Sequence, residues 1–238
     1  MQPSQTRELI DASTAIPYHV HSFGYLAIVL GGSYLEFSDN GRLQVSEGDV
    51  IYHPPFQAHF NKAGRKGARV LNLHLGLRAG ATGWFGTVPS ITALLRSAQD
   101  GPRDVLEYLA ESVAVRKPNL VDWEDQLAWD LAHGGAADLG FWASARGLRR
   151  ETLSRGFKRT YGATPVRFRA DARARQTWVE IISTQTPLAF LASQRGYADQ
   201  AHMTHAINSL TMKTPGAWRR PARTSCESAW RPGTLLFQ

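Results

Sequence analysis

Residues 142–169 read WASARGLRRETLSRGFKRTYGATPVRFR, and residues 191–219 read LASQRGYADQAHMTHAINSLTMKTPGAWR. The two stretches align. Ala143 matches Ala192 and Gly147 matches Gly196 at an offset of 49. After one inserted residue, Leu153 matches Met203, Phe157 matches Ile207, Pro165 matches Pro215, Phe168 matches Trp218 and Arg169 matches Arg219 at an offset of 50. A period near 50 used twice marks one supersecondary unit that has been duplicated. Each copy reads as a helix-turn-helix. A small residue, Ala143 or Ala192, sits where a second helix must pass closely, and a glycine four residues later takes the positive φ that ends the first helix. The second helix is anchored by Leu153 and Phe157, or by Met203 and Ile207, which at spacing i, i+4 face a core together. Its outer face carries Arg150, Ser154, Arg155 and Lys158 in the first copy, and Gln200, Thr204, His205 and Asn208 in the second. Hydrogen-bonding side chains on a helix that follows a tight turn are what reading the DNA major groove requires.

The charge distribution supports this. The 238-residue chain has 27 Lys+Arg against 20 Asp+Glu, a net charge of +7. Residues 1–145 carry 11 basic and 15 acidic side chains, whereas residues 146–238 carry 16 and 5. A basic back half behind a mildly acidic front half points to a polyanion partner for the back half, double-stranded DNA above all. The apolar fraction of 43% is enough for a sizeable core. No stretch approaches the ~18 consecutive apolar residues of a membrane span, so no membrane partner is expected. Met1–Asp11 is polar and has no signal-peptide run, which places the expected location in the cytoplasm. A single cysteine, Cys226, excludes an intrachain disulfide framework and a cysteine-rich zinc site.

The front half reads as short strands. Tyr25–Leu35 is apolar and bulky, interrupted at Gly31-Gly32; Asp39-Asn40-Gly41 and Glu47-Gly48-Asp49 are turn signals. Leu43–Val45, Val50–Tyr52 and Val70–Leu75 supply further strands, and Pro54-Pro55 breaks the chain between the last two. Such a pattern suggests an antiparallel barrel or sandwich. The middle reads as two or three amphipathic helices: Val88–Ala98, Asp104–Val115, and a third capped by Asp122 and closed at His133-Gly134.

Two resemblances attach to these residues. Residues 15–77 resemble the cupin barrel through His19-Val20-His21, the turn Gly48-Asp49, Pro54, and His59 five residues later. His19, His21 and His59 are the expected effector-binding residues of that barrel. Metal-binding cupins add a Glu after the histidine pair and a Gly two residues after the proline. Here no Glu lies between His21 and Glu36, and Phe56 stands at the glycine position, so neither a metal nor any other cofactor is assigned. Residues 125–221 resemble the DNA-binding domain of AraC/XylS-family transcription regulators, most specifically through Glu151–Phe157, Gly162–Arg169 and Tyr197–Met203. That family joins two helix-turn-helix units by a long helix, here about Pro165–Ser183, behind an effector domain that is often cupin-like.

The AraC/XylS resemblance implies base-facing roles for Glu151, Ser154 and Arg155, and for Gln200, Ala201, Thr204 and His205. Phosphate contacts are expected from Arg150, Lys158, Arg159, Thr204 and Arg219. Two positions depart from the family: His205 where Arg is usual, and Met212 where Gly usually ends the recognition helix. The expected fold class is α+β: a cupin-like barrel at 1–85, a helical connector with a dimerisation option at 86–135, the double helix-turn-helix at 136–221, and a tail at 222–238. The expected function is a bacterial, sequence-specific transcription regulator controlled by a small effector in the barrel. Its expected partners are a DNA operator, RNA polymerase if it activates, and a second copy if it dimerises. The alternative is a metal-dependent cupin enzyme carrying a DNA-binding module. An alkyl-transfer DNA repair protein, which shares this module, is excluded. That chemistry needs a nucleophilic cysteine and a zinc-bound cysteine cluster, and Cys226 stands alone outside the modules.

Overall fold

Apolar runs bounded by Gly, Asn and Pro turns form most strands of the front half, and the 3.6-residue periodicity of the back half forms helices. The computed structural model describes residues 5–76, 83–118, 120–134 and 138–219. The tail at 222–238, with Cys226, Trp230, Leu235 and Phe237, lies outside the described residues. In chain order the elements are β1 (Gln5–Ile10), β2 (Ala15–Val20), β3 (Gly24–Ser38), β4 (Gly41–Ser46), β5 (Asp49–His53), β6 (Ala58–Gly76), β7 (Trp84–Thr87), α1 (Ile91–Asp100), α2 (Pro102–Ser112) and β8 (Ala114–Arg116). The helices α3 (Trp123–His133), α4 (Leu139–Ser144), α5 (Arg150–Tyr161), α6 (Pro165–Ser183), α7 (Leu188–Gln194), α8 (Gln200–Thr211) and α9 (Pro215–Arg219) follow.

The strands form one antiparallel sheet in the order β1-β6-β3-β5-β7-β8, with β2 also paired to β6 and β4 to β3. The glycine pair that interrupts the apolar run does not end β3. Register shifts flank Gly31 and Gly32, and Gly32 has φ 75 with Gly67 O only 2.1 Å from where a Cβ would stand. The pair is a bulge that bends a continuous strand. One face of the sheet buries Tyr25, Ala27, Val29, Tyr34, Val45, Ile51 and Phe85. The other buries Leu26, Ile28, Leu71 and Leu73 beneath Leu94, Ala98, Val105 and Leu109 of α1 and α2.

The connector expected at 86–135 is therefore split between two bodies. Helices α1 and α2 cover the sheet, and β8 rejoins it by pairing with β7. Helix α3 belongs to the first helix-turn-helix, because Leu127, Ala128 and Leu131 share a core with Leu153, Phe157 and Phe168. Asp122 is the residue before α3 but makes no side-chain cap; its carboxylate lies 2.8 Å from Arg42 Nη1 instead.

Helix α6 spans the residues expected of the linking helix. Pro165 opens it, where the missing N–H costs nothing, and Thr164 Oγ1 accepts from Arg167 N at 3.3 Å. Its first half contributes Phe168 and Ala172 to the core of the first unit, and its second half contributes Trp178 and Ile181 to the core of the second. One rigid element thus serves both units.

The barrel docks on this helical body. Phe37, with Tyr18, Leu35 and Phe60 at its margin, enters the core of the first unit; Phe37 and Tyr161 stand edge to face at 5.5 Å. Phe56 enters the core of the second, 4.8 Å from Trp178 and 6.1 Å from Trp218. Polar ties run alongside. Arg42 Nε is 3.2 Å from Asp125 Oδ1, which also accepts from Tyr161 Oη at 2.8 Å. Arg175 donates to Pro55 O at 3.1 Å and lies 3.7 Å from Asp39. Burial holds the Asp125 carboxyl above the usual carboxylate range, despite its Tyr161 and Arg42 donors.

Candidate nucleic-acid interface and histidine cluster

The helix-turn-helix geometry follows from the glycines. Gly147 and Gly196 lie in the turns just past the ends of α4 and α7, at φ 65 and 67, the left-handed conformation that costs glycine nothing. In each unit the chain then turns so tightly that a backbone N–H returns to the small residue: Leu148 N to Ala143 O, and Tyr197 N to Ala192 O, both at 2.9 Å. Ala143 and Ala192 are each 1% exposed, the close passage expected of them. Leu153, Phe157, Met203 and Ile207 are fully buried, which fixes the rotation of α5 and α8 about their axes.

That rotation presents to solvent the side chains expected to face the bases. On α5, Arg150, Glu151, Arg155, Lys158 and Arg159 are exposed and Ser154 is partly so. Arg155 Nη2 lies 3.6 Å from Glu151 Oε2, a surface i, i+4 pair that a base can outbid. On α8, Gln200, Ala201, Thr204 and His205, with Asn208 and Thr214, line an open groove of ≈ 650 Å³. Arg219 is elsewhere. Its half-buried guanidinium donates from Nε to Ile181 O at 3.3 Å and from Nη2 to Thr186 O, so it ties the end of α6 to α9.

The second departure noted in the sequence is a backbone fact. Gly162 ends α5 at φ 72, and Met212 ends α8 at φ 57 with its side chain 84% exposed. A side chain in this region costs about 1–2 kcal/mol, with little burial here to offset it. Met212→Gly is therefore expected to raise unfolding stability by about 1 kcal/mol, measured by denaturant titration. A loss of stability would show that the methionine packs in solution.

The barrel brings His19, His21 and His59 together, with ligand nitrogens all within 4.8 Å of one another. Strand β2 pairs His19 directly with His59. Two of the three rings have a fixed tautomer, because a carbonyl only accepts: His19 Nδ1–H donates to Pro17 O at 2.7 Å and His59 Nδ1–H to Gln57 O at 3.4 Å. Both Nε2 lone pairs are thereby turned inward. His21 Nε2 lies 3.1 Å from His19 Nε2, and Tyr25 Oη lies 3.2 Å from His59 Nε2. Burial, reinforced by the neighbouring imidazoles, pulls the His21 ring down to about 4 and holds His59 well below the usual histidine range. The three imidazoles together suit a hydrogen-bonding ligand or a transition ion taking three nitrogens. His53 packs against that set, its ring centroid 4.7 Å from that of His59, while its Nε2 faces the buried Glu36 carboxylate at 3.3 Å. His74 lies against Phe23, ring centroids 4.4 Å apart.

Sequence reasoning missed Phe56 and Arg175. Phe56 carried a signal, a bulky residue at a position where the cupin pattern has glycine; its φ is 60. Arg175 carried another, an arginine at helical spacing from Ala172 and Trp178 on the buried face of α6.

Residues 142–221 match the family model of a helix-turn-helix domain. Similar solved structures include an apo ToxT variant from Vibrio cholerae strain SCE256, at TM-score 0.40 and 8% identity, covering 92% of this chain and 97% of that one. ToxT from Vibrio cholerae O395 gives TM-score 0.38 and 7% identity, covering 91% and 96%. A variant of salicylate 1,2-dioxygenase from Pseudoaminobacter salicylatoxidans gives TM-score 0.28 and 15% identity over 30% of this chain and 22% of that one. No curated protein sequence matches the chain. Among the described residues no helix is long and apolar enough to cross a membrane.

Proposed function

We propose that residues 142–221, which match a helix-turn-helix family model, work as an AraC-type double helix-turn-helix domain and that the chain is a DNA-binding transcription regulator. Helices α5 and α8 enter successive major grooves on one face of the duplex, about 34 Å apart. Arg155 pairs with guanine O6/N7 and Gln200 with adenine N6/N7, each as a bidentate donor or donor–acceptor pair. Glu151, Ser154, Ala201, Thr204 and His205 complete the base-facing set. Arg150, Lys158 and Arg159 hold the phosphates and set the register. A small effector in the barrel engages His19, His21 and His59. The protein acts in the cytoplasm, contacts RNA polymerase where it activates, and pairs with a second copy where its operator is duplicated.

The observation that carries this reading is the duplicated unit itself: two helices rotated by fully buried anchors so that polar side chains face outward, both built on one long helix. Selection of binding sites from a random duplex library with the full chain tests it. The expected product is a bipartite site whose two blocks lie about 10 base pairs apart. A library that yields no enriched sequence would remove the reading.

A further inference from the structure

The histidine cluster and the second helix-turn-helix unit share one short loop. His59 belongs to the cluster, and Phe56, three residues earlier, is 4% exposed inside the core of the second unit. The loop is also bonded to the cluster through the backbone, because Phe56 N donates to His21 O at 2.8 Å. Its neighbour Pro55 accepts from Arg175 of α6 at 3.1 Å. Among the described residues that form the second core, Phe56 alone comes from the barrel. The first unit is held differently, by Tyr18, Leu35, Phe37 and Phe60 on the paired strands β2, β3 and β6.

The loop is also strained. Phe56 has φ 60, a conformation costly for an aromatic residue and held here by packing on both sides. A segment fixed at both ends against its own preference responds to a shift at either end.

We propose that the Pro54–Phe56–His59 loop is the mechanical link through which the state of the His19/His21/His59 cluster sets how firmly the second helix-turn-helix unit is held. This rests on the reading of the cluster as the effector site. A ligand drawing the three imidazoles together moves the His21 carbonyl and His59, and the Phe56 ring moves with them against Trp178 and Trp218. The first unit, seated on strands, keeps its place. Regulation then acts on α8 while α5 stays docked.

Amide hydrogen exchange of the full chain tests the link without DNA and without the natural ligand. His21→Ala removes a cluster ring and keeps the backbone carbonyl. It is expected to change exchange across residues 200–219 by at least about threefold and to leave residues 150–161 within error. In a Phe56→Gly background, which keeps the left-handed turn and removes the ring, His21→Ala is expected to leave 200–219 unchanged. Phe56→Leu, which retains an apolar side chain, is expected to restore part of the response and covers the case in which Phe56→Gly does not fold. Zn2+, used as a probe that three imidazoles bind, is expected to alter the same segment in the wild type and not in His21→Ala. Unchanged exchange at 200–219 in His21→Ala, or an equal change with and without the Phe56 ring, overturns the link. DNA binding of the same samples separates the two readings. Lost coupling with intact DNA binding defeats the link alone. Zn2+ that leaves the wild type unaltered while the His21→Ala response still depends on Phe56 removes a metal ion as the cluster's ligand and upholds the link.

Discussion

Replacing Phe56 with alanine is expected to destabilise the protein by about 3–5 kcal/mol. The ring is 4% exposed and stands 4.8 Å from Trp178 and 6.1 Å from Trp218, so its removal leaves a void between two domains as well as inside one. Alanine also inherits the left-handed backbone without the packing that holds it there. At about 2–4 °C per kcal/mol for a chain of this size, the midpoint should fall by roughly 6–20 °C. Thermal unfolding followed by tryptophan emission reads this directly, because Trp178 and Trp218 flank the site. A loss below about 1 kcal/mol would show that the void closes by collapse and that the barrel is not anchored at this point.

The second large effect is expected on DNA. Arg155→Ala should weaken binding to the selected site by about 1–3 kcal/mol and relax discrimination at one base pair, as the loss of a bidentate guanine contact does. His205→Ala, at the matching position of the other unit, should cost less. The first reading helix is flanked by Arg149, Arg150, Lys158 and Arg159, whereas the outer face of α8 carries His205 with uncharged Gln200, Thr204 and Asn208. Helix α8 also ends on Met212 in a conformation that disfavours a side chain. Titration of both variants against one duplex at fixed salt decides the order. A larger loss from His205→Ala would mean that the second unit dominates.

The two halves of the chain were legible to different degrees. The helix-turn-helix units were readable because three local rules agree there: buried positions at i, i+4, a glycine where φ must be positive, and a proline that opens the next helix. The long helix from Pro165 to Ser183 followed from the same signals. The barrel was readable as a class and less so in detail. Strand β1 has no alternation to reveal it, since Gln5–Leu9 are exposed and only Ile10 is buried. Strand β8 is three exposed residues, recruited by pairing with β7 rather than by its own pattern. Gly31-Gly32 read as an interruption because glycine marks both a strand end and a bulge; only the pairing partner, with Gly67 closely opposed, distinguishes them.

The cluster of His19, His21 and His59 was readable from the histidine pair and the later histidine, and the pairing of β2 with β6 explains why residues 40 positions apart in the chain meet. The docking of the barrel on the helical body was not readable. Phe37, Phe60 and Tyr161 look like ordinary core residues of their own elements, and nothing local shows that they form one core. Arg175 and Phe56 break a local rule each, a charge on a buried face and a bulky residue at positive φ, and both make contacts between the two domains.

The most direct measurement is the affinity of the full chain for its selected duplex and for a scrambled duplex of equal length, across a range of salt. The account predicts that the selected site binds at least about a thousandfold more tightly. It also predicts a log–log salt slope near −0.9 for each phosphate neutralised, so roughly −4 to −5 if the cations around α5 and α8 meet four to six phosphates. Equal affinity for the two duplexes, or binding indifferent to salt, would contradict it.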